Sequence, residues 1–184
     1  MIIFETERLL VRKATLADVE IFYALWTNPQ VMVNVGFPQG LQITRAEIAQ
    51  KIRGQGDGAY NGRLVVMLKA TSEKLGEAAL HPPDDEGIAE TDVKLLPEYW
   101  GHKYGVEVKR GLVNYLFSHT DCQAVQATPN VNNVASIKMQ EAVGGVRVGE
   151  KVYKFPDHMH DYTQPVKAFI YHVRREDWEK QTAD

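Results

Sequence analysis

The chain has 184 residues, a length typical of one domain that buries its core without disulfide or metal staples. Hydrophobic residues make up 44% and charged residues 24%, which argues against both a disordered chain and a membrane protein. The formal net charge of -3 gives no overall attraction to nucleic acid or to an anionic membrane, so an anionic ligand would need a local site.

The sequence also indicates the compartment. The single cysteine, Cys122, cannot form an internal disulfide, which is typical of a reducing environment. The first eight residues include Glu5, Glu7 and Arg8 and no apolar stretch of a signal peptide, and no apolar run approaches the roughly 20 residues of a membrane-spanning helix. We therefore expect a cytoplasmic protein with neither a membrane nor a nucleic-acid partner.

Apolar spacing and turn signals predict one α+β domain over residues 1–184, with the element order β-α-α-β-β-β-α-β-α-β-β. No internal repeat or linker interrupts it. In chain order, the elements are a strand at 9–13, a helix after Thr15, a helix after Thr44, strands at 64–70, 74–81 and 90–96, a helix at 104–119, a strand at 124–128, a helix at 133–143, and strands at 146–155 and 167–173.

The boundaries of the first two helices are marked by capping residues. Thr15 and Asp18 form a capping box ahead of the first helix, and Asn28-Pro29 is predicted to end it. Thr44 starts the second helix in the same way.

The most informative segment joins the strand at 90–96 to the helix at 104–119. Pro97 stops strand pairing, and Gly101 and Gly105 frame a turn that leads directly into the helix. Free N–H groups and the positive end of the helix dipole suit a phosphate or pyrophosphate there. The same pattern is also typical of a glycine-assisted turn without a ligand, and it is neither a P-loop nor a dinucleotide fingerprint.

A second turn from strand to helix carries polar side chains. Asn133 is a natural N-cap, and Ser136 would occupy the third helical position. Such capping is common without any function. Its position beside the first turn is what makes it a candidate for ligand binding.

Three segments in this order carry a family resemblance: Glu5-Thr6-Glu7-Arg8-Leu9-Leu10-Val11-Arg12, Pro97-Glu98-Tyr99-Trp100-Gly101-His102-Lys103-Tyr104-Gly105-Val106-Glu107, and Asn133-Val134-Ala135-Ser136 followed by Gly144. Together they resemble the RimJ/RimL-type branch of the GNAT N-acetyltransferases, over almost the whole chain. The resemblance implies a three-layer α/β/α domain whose mixed, mostly antiparallel sheet is splayed between its fourth and fifth strands, with acetyl-CoA in the gap.

The resemblance also implies roles for individual residues. The fourth strand would be 90–96, where the backbone near Leu95 and Leu96 would pair with the pantetheine arm and polarise the thioester carbonyl. Asn133 would face pantetheine, and Ser136 the thioester sulfur. The pyrophosphate would be held by the turn Gly101, His102, Lys103, Tyr104 and Gly105.

The implied activity is transfer of acetyl from acetyl-CoA to a primary amine, on a small molecule or a protein N-terminus, by direct attack in a ternary complex. We interpret Ser136 as the catalytic residue, acting as a stabiliser of the leaving thiolate. A thiolate of pKa about 8.5 is much less basic than a serine alkoxide, so full proton donation by serine would be uphill. The alternative is a non-catalytic acyl-CoA-binding module that retains the fold.

Two positions depart from the family pattern. Lys103 stands where glycine is usual, so either the backbone there is strained or the ammonium contacts a phosphate directly. Gly145 stands where phenylalanine usually follows the stop glycine.

No general base stands out, and water chains can carry an amine proton instead. Acidic residues and histidines on the later strands and loops are expected to be solvated, and the histidine pair lacks a third ligand, so no metal is expected. These candidates are Glu90, Asp92, Glu150, His158, His160 and Asp161.

The remaining expectations concern surfaces. Glu107, Lys109 and Arg110 are predicted to form an exposed helix face, from which a basic side chain could reach the 3′-phosphate of coenzyme A. A homodimer through the final strands is plausible. An acceptor pocket could be framed by Trp26, Phe37, Tyr60 and Tyr153, although Trp26 is better explained as core.

Overall fold

The computed structural model describes residues 1–182, in which eight strands form one mixed sheet with the order β1-β2-β3-β4-β5-β6-β8-β7. Only β5 and β6 are parallel, and the other neighbouring strands are antiparallel. The strands are β1 (Ile2–Glu5), β2 (Leu9–Lys13), β3 (Leu64–Leu68), β4 (Lys74–Leu80), β5 (Ile88–Leu95), β6 (Ala124–Ala127), β7 (Val146–Tyr153) and β8 (Val166–Arg174).

Helices cover both faces of the sheet. Successive residues of a strand point to opposite faces, so Val65 packs in one hydrophobic core with the helices at 19–26 and 45–53, while Leu64 and Val66 pack in the other with the helix at 104–119. This confirms the three-layer α/β/α arrangement. The helices are α1 (Val19–Trp26), α2 (Pro29–Met32), α3 (Arg45–Arg53), α4 (Tyr104–His119), α5 (Val134–Ala142) and α6 (Arg175–Thr182).

The predicted element order is confirmed, but three short elements were missed: β1, α2 and α6. Asn28-Pro29 both ends α1 and begins α2, because Oδ1 of Asn28 accepts the N–H of Gln30 at 2.9 Å and proline is favourable in a first helical turn. Because β1 precedes it, the strand predicted at 90–96 is the fifth strand.

The sheet opens between β5 and β6. These strands pair only at three positions, the last being Glu90 with Gln126, whereas β5 continues beside β4 as far as Leu95. Beyond Glu90, the edge of β5 that faces β6 therefore has no paired strand among the described residues. The splay implied by the family resemblance is present, one strand later in the count.

The carboxyl end of α4 is tied to the loop that follows it by one arginine. The guanidinium of Arg175 donates to the carbonyl oxygens of Phe117, Thr120 and Cys122 at 3.1, 2.6 and 2.7 Å. The last carbonyls of a helix have no partner within the helix, so Arg175 satisfies them with a charged donor. Because Arg175 directly follows β8, these hydrogen bonds connect the end of α4 to the end of β8.

Gly76 allows β4 and β5 to lie close together where the gap begins. It is paired with Leu95, and an added Cβ would overlap the backbone carbonyl oxygen of Lys94. We expect Gly76→Ala to lower the free energy of unfolding by about 1–3 kcal/mol, as overpacking against backbone does, in urea unfolding followed by circular dichroism. Gly56→Ala is the matched control, because an added Cβ there has no atom within 4 Å. Equal losses in the two variants would contradict this account.

Candidate active site

A cavity of about 440 Å³ occupies the opening between β5 and β6. Thr91 and Val93 of β5 line it, together with Lys109 of α4 and Ser136 of α5. Phe37 and other residues line it from the opposite face of the sheet. The cavity therefore passes through the sheet, so that a group entering from the α4 side can meet one entering from the α1 side.

The hydrogen bonds of β5 decide which backbone groups face this gap. The N–H of Leu96 donates to Leu75 at 2.9 Å, and the carbonyl of Glu90 accepts from His81 at 2.9 Å. Antiparallel partners alternate in this way, so the even-numbered residues bond to β4. The backbone groups of Thr91, Val93 and Leu95 consequently face the gap.

This alternation revises the strand-end positions named from the sequence. Leu96 is turned toward β4, and its N–H is already bonded there, so it is not a donor to a ligand in the gap. Leu95 faces the gap, but its carbonyl accepts from Nε1 of Trp100 at 2.9 Å. Val93, which sequence reasoning missed, presents an N–H that donates to Oδ1 of its exposed neighbour Asp92 at 2.9 Å.

The turn from Gly101 to Gly105 contains two residues in the left-handed backbone conformation. Gly101 has φ of 81°, and Lys103, the N-cap of α4, has φ of 63° and ψ of 11°. The left-handed conformation costs a residue with a Cβ about 1 kcal/mol or more, so the backbone strain named as one of the two alternatives for Lys103 is present. Hydrogen bonding within α4 begins with the N–H of Glu107, so the N–H groups of Tyr104 and Gly105 precede it.

The N-terminal motif holds this turn in place. Arg8 donates to Oε2 of Glu107 at 2.7 Å and to the carbonyl of His102 at 3.2 Å, and Thr6 also bonds to Glu107. Partial burial would raise the pKa of Glu107, but the hydrogen bonds from Thr6 and Arg8 lower it below its ordinary value. The expectation that Glu107 is simply exposed is therefore wrong.

The second polar turn has the predicted cap. Oδ1 of Asn133 accepts the N–H of Ser136 at 3.1 Å, which places Ser136 in the first turn of α5. Ser136 lines the cavity, whereas the side chain of Asn133 is used by the helix itself. Sulfur of Met139 would lie 3.1 Å from a Cβ at Gly105, so α5 packs closely against the start of α4.

Lys109 was predicted to be exposed and is instead 1% exposed. Its Nζ bonds to Oγ1 of Thr91 and it lines the cavity. Burial lowers the pKa of Lys109 to about 7, against the opposing attraction of Asp92 and Glu90. The sequence does contain a signal: Lys109 is spaced three, four and seven residues from the core residues Leu112, Val113 and Leu116, so it lies on the apolar face of α4.

The acidic candidates divide into two groups. Glu90 and Asp92 line the cavity, and Oε1 of Glu90 accepts from Nε2 of Gln126 at 3.1 Å. Glu150 lies on β7, where Lys167 binds it at 2.9 Å. The segment from His158 to Asp161 lies in the loop between β7 and β8 and does not line the cavity.

Two of the four aromatic residues considered for an acceptor pocket line the cavity, and the preferred assignment of Trp26 to the core is confirmed. Phe37 and Tyr153 line the cavity, but Trp26 and Tyr60 do not. Trp26 is a core residue whose Nε1 donates to Oε1 of Glu77 at 2.9 Å. Phe155, which sequence reasoning missed, packs edge-on against Phe37 with ring centroids 5.1 Å apart and supplies the second aromatic wall.

Residues 1–182 contain no group of three or more His, Cys, Asp or Glu side chains arranged to hold a metal ion. No helix in the same range is long and apolar enough to cross a membrane.

Solved structures and named relatives resemble this chain. An acetyltransferase of the GNAT family from Bacillus anthracis superposes with a TM-score of 0.77 at 22% identity, covering 96% of this chain and 99% of the other. A spermidine N-acetyltransferase from Vibrio cholerae, in complex with CoA and spermine, superposes with a TM-score of 0.77 at 17% identity, covering 93% and 98%. At these identities the likeness concerns the fold.

In sequence, the chain is 25% identical over 146 residues to the uncharacterized N-acetyltransferase p20 from Bacillus licheniformis, covering 78% of this chain and 82% of the relative. The family model described as the GNAT acetyltransferase domain matches residues 8–146. That range includes the turn at Gly101, the opening between β5 and β6, and Ser136. The chain belongs to the GNAT family of acetyltransferases.

Proposed function

We propose that the chain is a cytoplasmic N-acetyltransferase of the RimJ/RimL-type branch, one domain that transfers acetyl from acetyl-CoA to a primary amine. The observation that carries this proposal is the unpaired edge of β5, which faces a cavity lined by Ser136 and ends at the turn from Gly101 to Gly105. Extended backbone next to free helix N–H groups suits a ligand with an amide-containing arm and a diphosphate.

In this proposal the turn binds the pyrophosphate and the edge of β5 binds pantetheine. The N–H groups of Tyr104 and Gly105, at the positive end of α4, would donate to phosphate oxygens. The exposed Lys103 ammonium adds a point charge beside them. Pantetheine would run along Leu95 and Val93, in place of the pairing with Leu96 that the sequence indicated.

The chemistry uses both faces of the gap. A neutral amine attacks the thioester carbonyl. The developing oxyanion accepts a hydrogen bond from the N–H of Val93, which then no longer donates to Oδ1 of Asp92. Ser136 hydrogen-bonds the departing sulfur without surrendering its proton. Direct attack needs no covalent enzyme intermediate, and Cys122 is buried away from the cavity.

The acceptor would enter from the face that carries Phe37, Tyr153 and Phe155. Glu90 and Asp92 also line the cavity, beside Lys154. Asp92 is paired with Lys94, so Glu90 is the carboxylate available to attract a cationic amine. A small polyamine and a protein N-terminus both meet this description. The solved structure with spermine shows only that this fold accommodates a polyamine in another protein.

One observation favours the alternative of a non-catalytic acyl-CoA-binding module. Lys103 holds the turn that would bind the pyrophosphate in a strained left-handed conformation, at a position where glycine is usual in the catalytic family. Acetyl-CoA binding without turnover across a broad amine panel would support it.

For either function, we propose that a homodimer would form through β7, the edge strand whose Val148 and Val152 are exposed.

Calorimetric titration with acetyl-CoA tests the cofactor site. We expect binding that weakens several-fold with the 3′-dephospho analogue. Lys103→Ala keeps a Cβ in the left-handed conformation and removes the charge, whereas Lys103→Gly removes both the charge and the strain. We expect about a threefold to tenfold loss in both variants because the ammonium contacts phosphate. If Lys103→Gly binds acetyl-CoA tightly and Lys103→Ala does not, backbone strain and not the ammonium determines the affinity. If folded wild type binds no acetyl-CoA, the proposed cofactor site is refuted.

Turnover tests the reaction and the role of Ser136. Thiol release from acetyl-CoA would be measured over a panel of small amines and peptides with free N-termini. For an acceptor so found, we expect Ser136→Ala to lower kcat about tenfold, the loss of one hydrogen bond to the developing thiolate, with an acetyl-CoA Kd unchanged within about twofold. Lys138→Ala, an exposed position of the same helix, is the control. Equal kcat in wild type and Ser136→Ala would refute the role.

A further inference from the structure

Lys109 is a buried ammonium-bearing side chain that the mechanism above does not use. It is 1% exposed, its Nζ bonds to the hydroxyl of Thr91, and no carboxylate of the described residues forms an ion pair with it. A buried lysine without a charged partner is costly to the fold. Its position on the cavity wall points to a role in the chemistry.

Lys109 lies at the closed end of the gap. Thr91, its partner, is the first residue of β5 beyond the last pair with β6. From Val93, whose N–H would meet the thioester carbonyl, to Thr91 the strand spans about 7 Å, so a thioester held at Val93 lies in the same cavity as Lys109 and close to its side chain. Ser136 lines the same cavity from α5, the helix packed against α4.

On the basis of the proposed function, we propose that Lys109 is a catalytic residue, the general acid that protonates the coenzyme A thiolate as it leaves. The amine lone pair forms the C–N bond, the C–S bond breaks, and its electron pair stays on sulfur. Sulfur takes one proton from the Nζ ammonium, which becomes a neutral amine. The new amide loses its extra proton to water, and Lys109 regains a proton from solvent, so atoms and charge balance.

The local charges make this transfer favourable. With a pKa of about 7, Lys109 is a stronger acid than a thiol of pKa about 8.5, so its proton moves downhill to the thiolate. The nearest charged groups are Glu90 and Asp92, whose side chains point to the opposite face of the sheet from Thr91; their attraction raises the lysine pKa against the effect of burial. Asp92 is itself paired with Lys94, and His81 and Lys154 also line the cavity. From α5 the cavity wall adds only uncharged side chains: Ser136, Met139 and Gln140. Ser136 and Lys109 then divide the work, one orienting the sulfur and the other supplying the proton.

The test compares wild type with Lys109→Met, and with Lys109→Gln as a second neutral variant, for the acceptor found in the turnover screen. We expect kcat near pH 6.5 to fall about 100-fold, a usual contribution of a general acid. The ratio of wild-type to variant rate at each pH cancels the titration of the acceptor amine. This ratio should fall about tenfold per pH unit above pH 7, as wild type loses the proton that it donates.

Lys109→Arg separates proton donation from charge. Arginine keeps the positive charge but does not release its proton, so we expect its rate to remain low and to show no fall above pH 7 attributable to position 109. Lys138→Met is the matched control, since Lys138 is an exposed lysine of the neighbouring helix, and its ratio to wild type should stay constant with pH.

Binding and stability measured alongside distinguish catalysis from a merely structural role. We expect an acetyl-CoA Kd within about threefold of wild type in both neutral variants. Between pH 7 and 10 the unfolded chain holds the lysine proton and the folded protein does not, so wild-type stability should rise with pH relative to Lys109→Met. A stability difference that is constant over this range would overturn the lowered pKa and the proposal with it.

The possible outcomes distinguish a failure of the Lys109 role from a failure of the proposed function. Turnover with a rate ratio that is constant or rises with pH would overturn the role of Lys109 and leave the acetyltransferase intact. Folded, acetyl-CoA-binding wild type that acetylates no amine would overturn both the proposed function and the role of Lys109.

Discussion

The divergence of β5 from β6 after Glu90 is the constraint on which the rest of the site depends. A strand paired on both sides presents no free backbone, but β5 keeps β4 on one side while its other side is open from Thr91 to Leu95. The open edge makes the cavity, sets which residues face it and aims the chain into the turn at Gly101. The helices supply side chains to a geometry that the sheet has already defined.

In the proposed reaction the sheet would also hold the two reactants on opposite faces. Side chains of Val93 and Leu95 pack toward α4, and those of Glu77 and Trp26 form a polar contact on the opposite face. Lys94 joins that contact at 3.2 Å from Glu77, which anchors the strand from the acceptor side. A donor held on one face and an acceptor held on the other meet only where the strands part, which limits side reactions with water.

Local signals explain how much the sequence could predict. Caps at Thr44 and Asn133 and the glycine turn act over a few residues, so their structures follow from short motifs. The choice of Val93 over Leu96 depends on the register of β5 against β4, which no local motif encodes. Lys109 was wrongly predicted to be exposed because charged residues are rarely buried. Its position on the apolar face of α4 was the signal for burial, but it was given less weight than the charge.

Helix α4 is fastened at both ends, by Arg8 to Glu107 at its beginning and by Arg175 to its last carbonyls. Both clamps are charge-assisted and lie outside the cavity, so they do not depend on a bound molecule. The helix that carries both the turn and Lys109 is thereby ordered before any ligand arrives. Little conformational entropy is then lost at this helix on association, and the interaction energy of the ligand is retained as affinity instead of being consumed in ordering the protein.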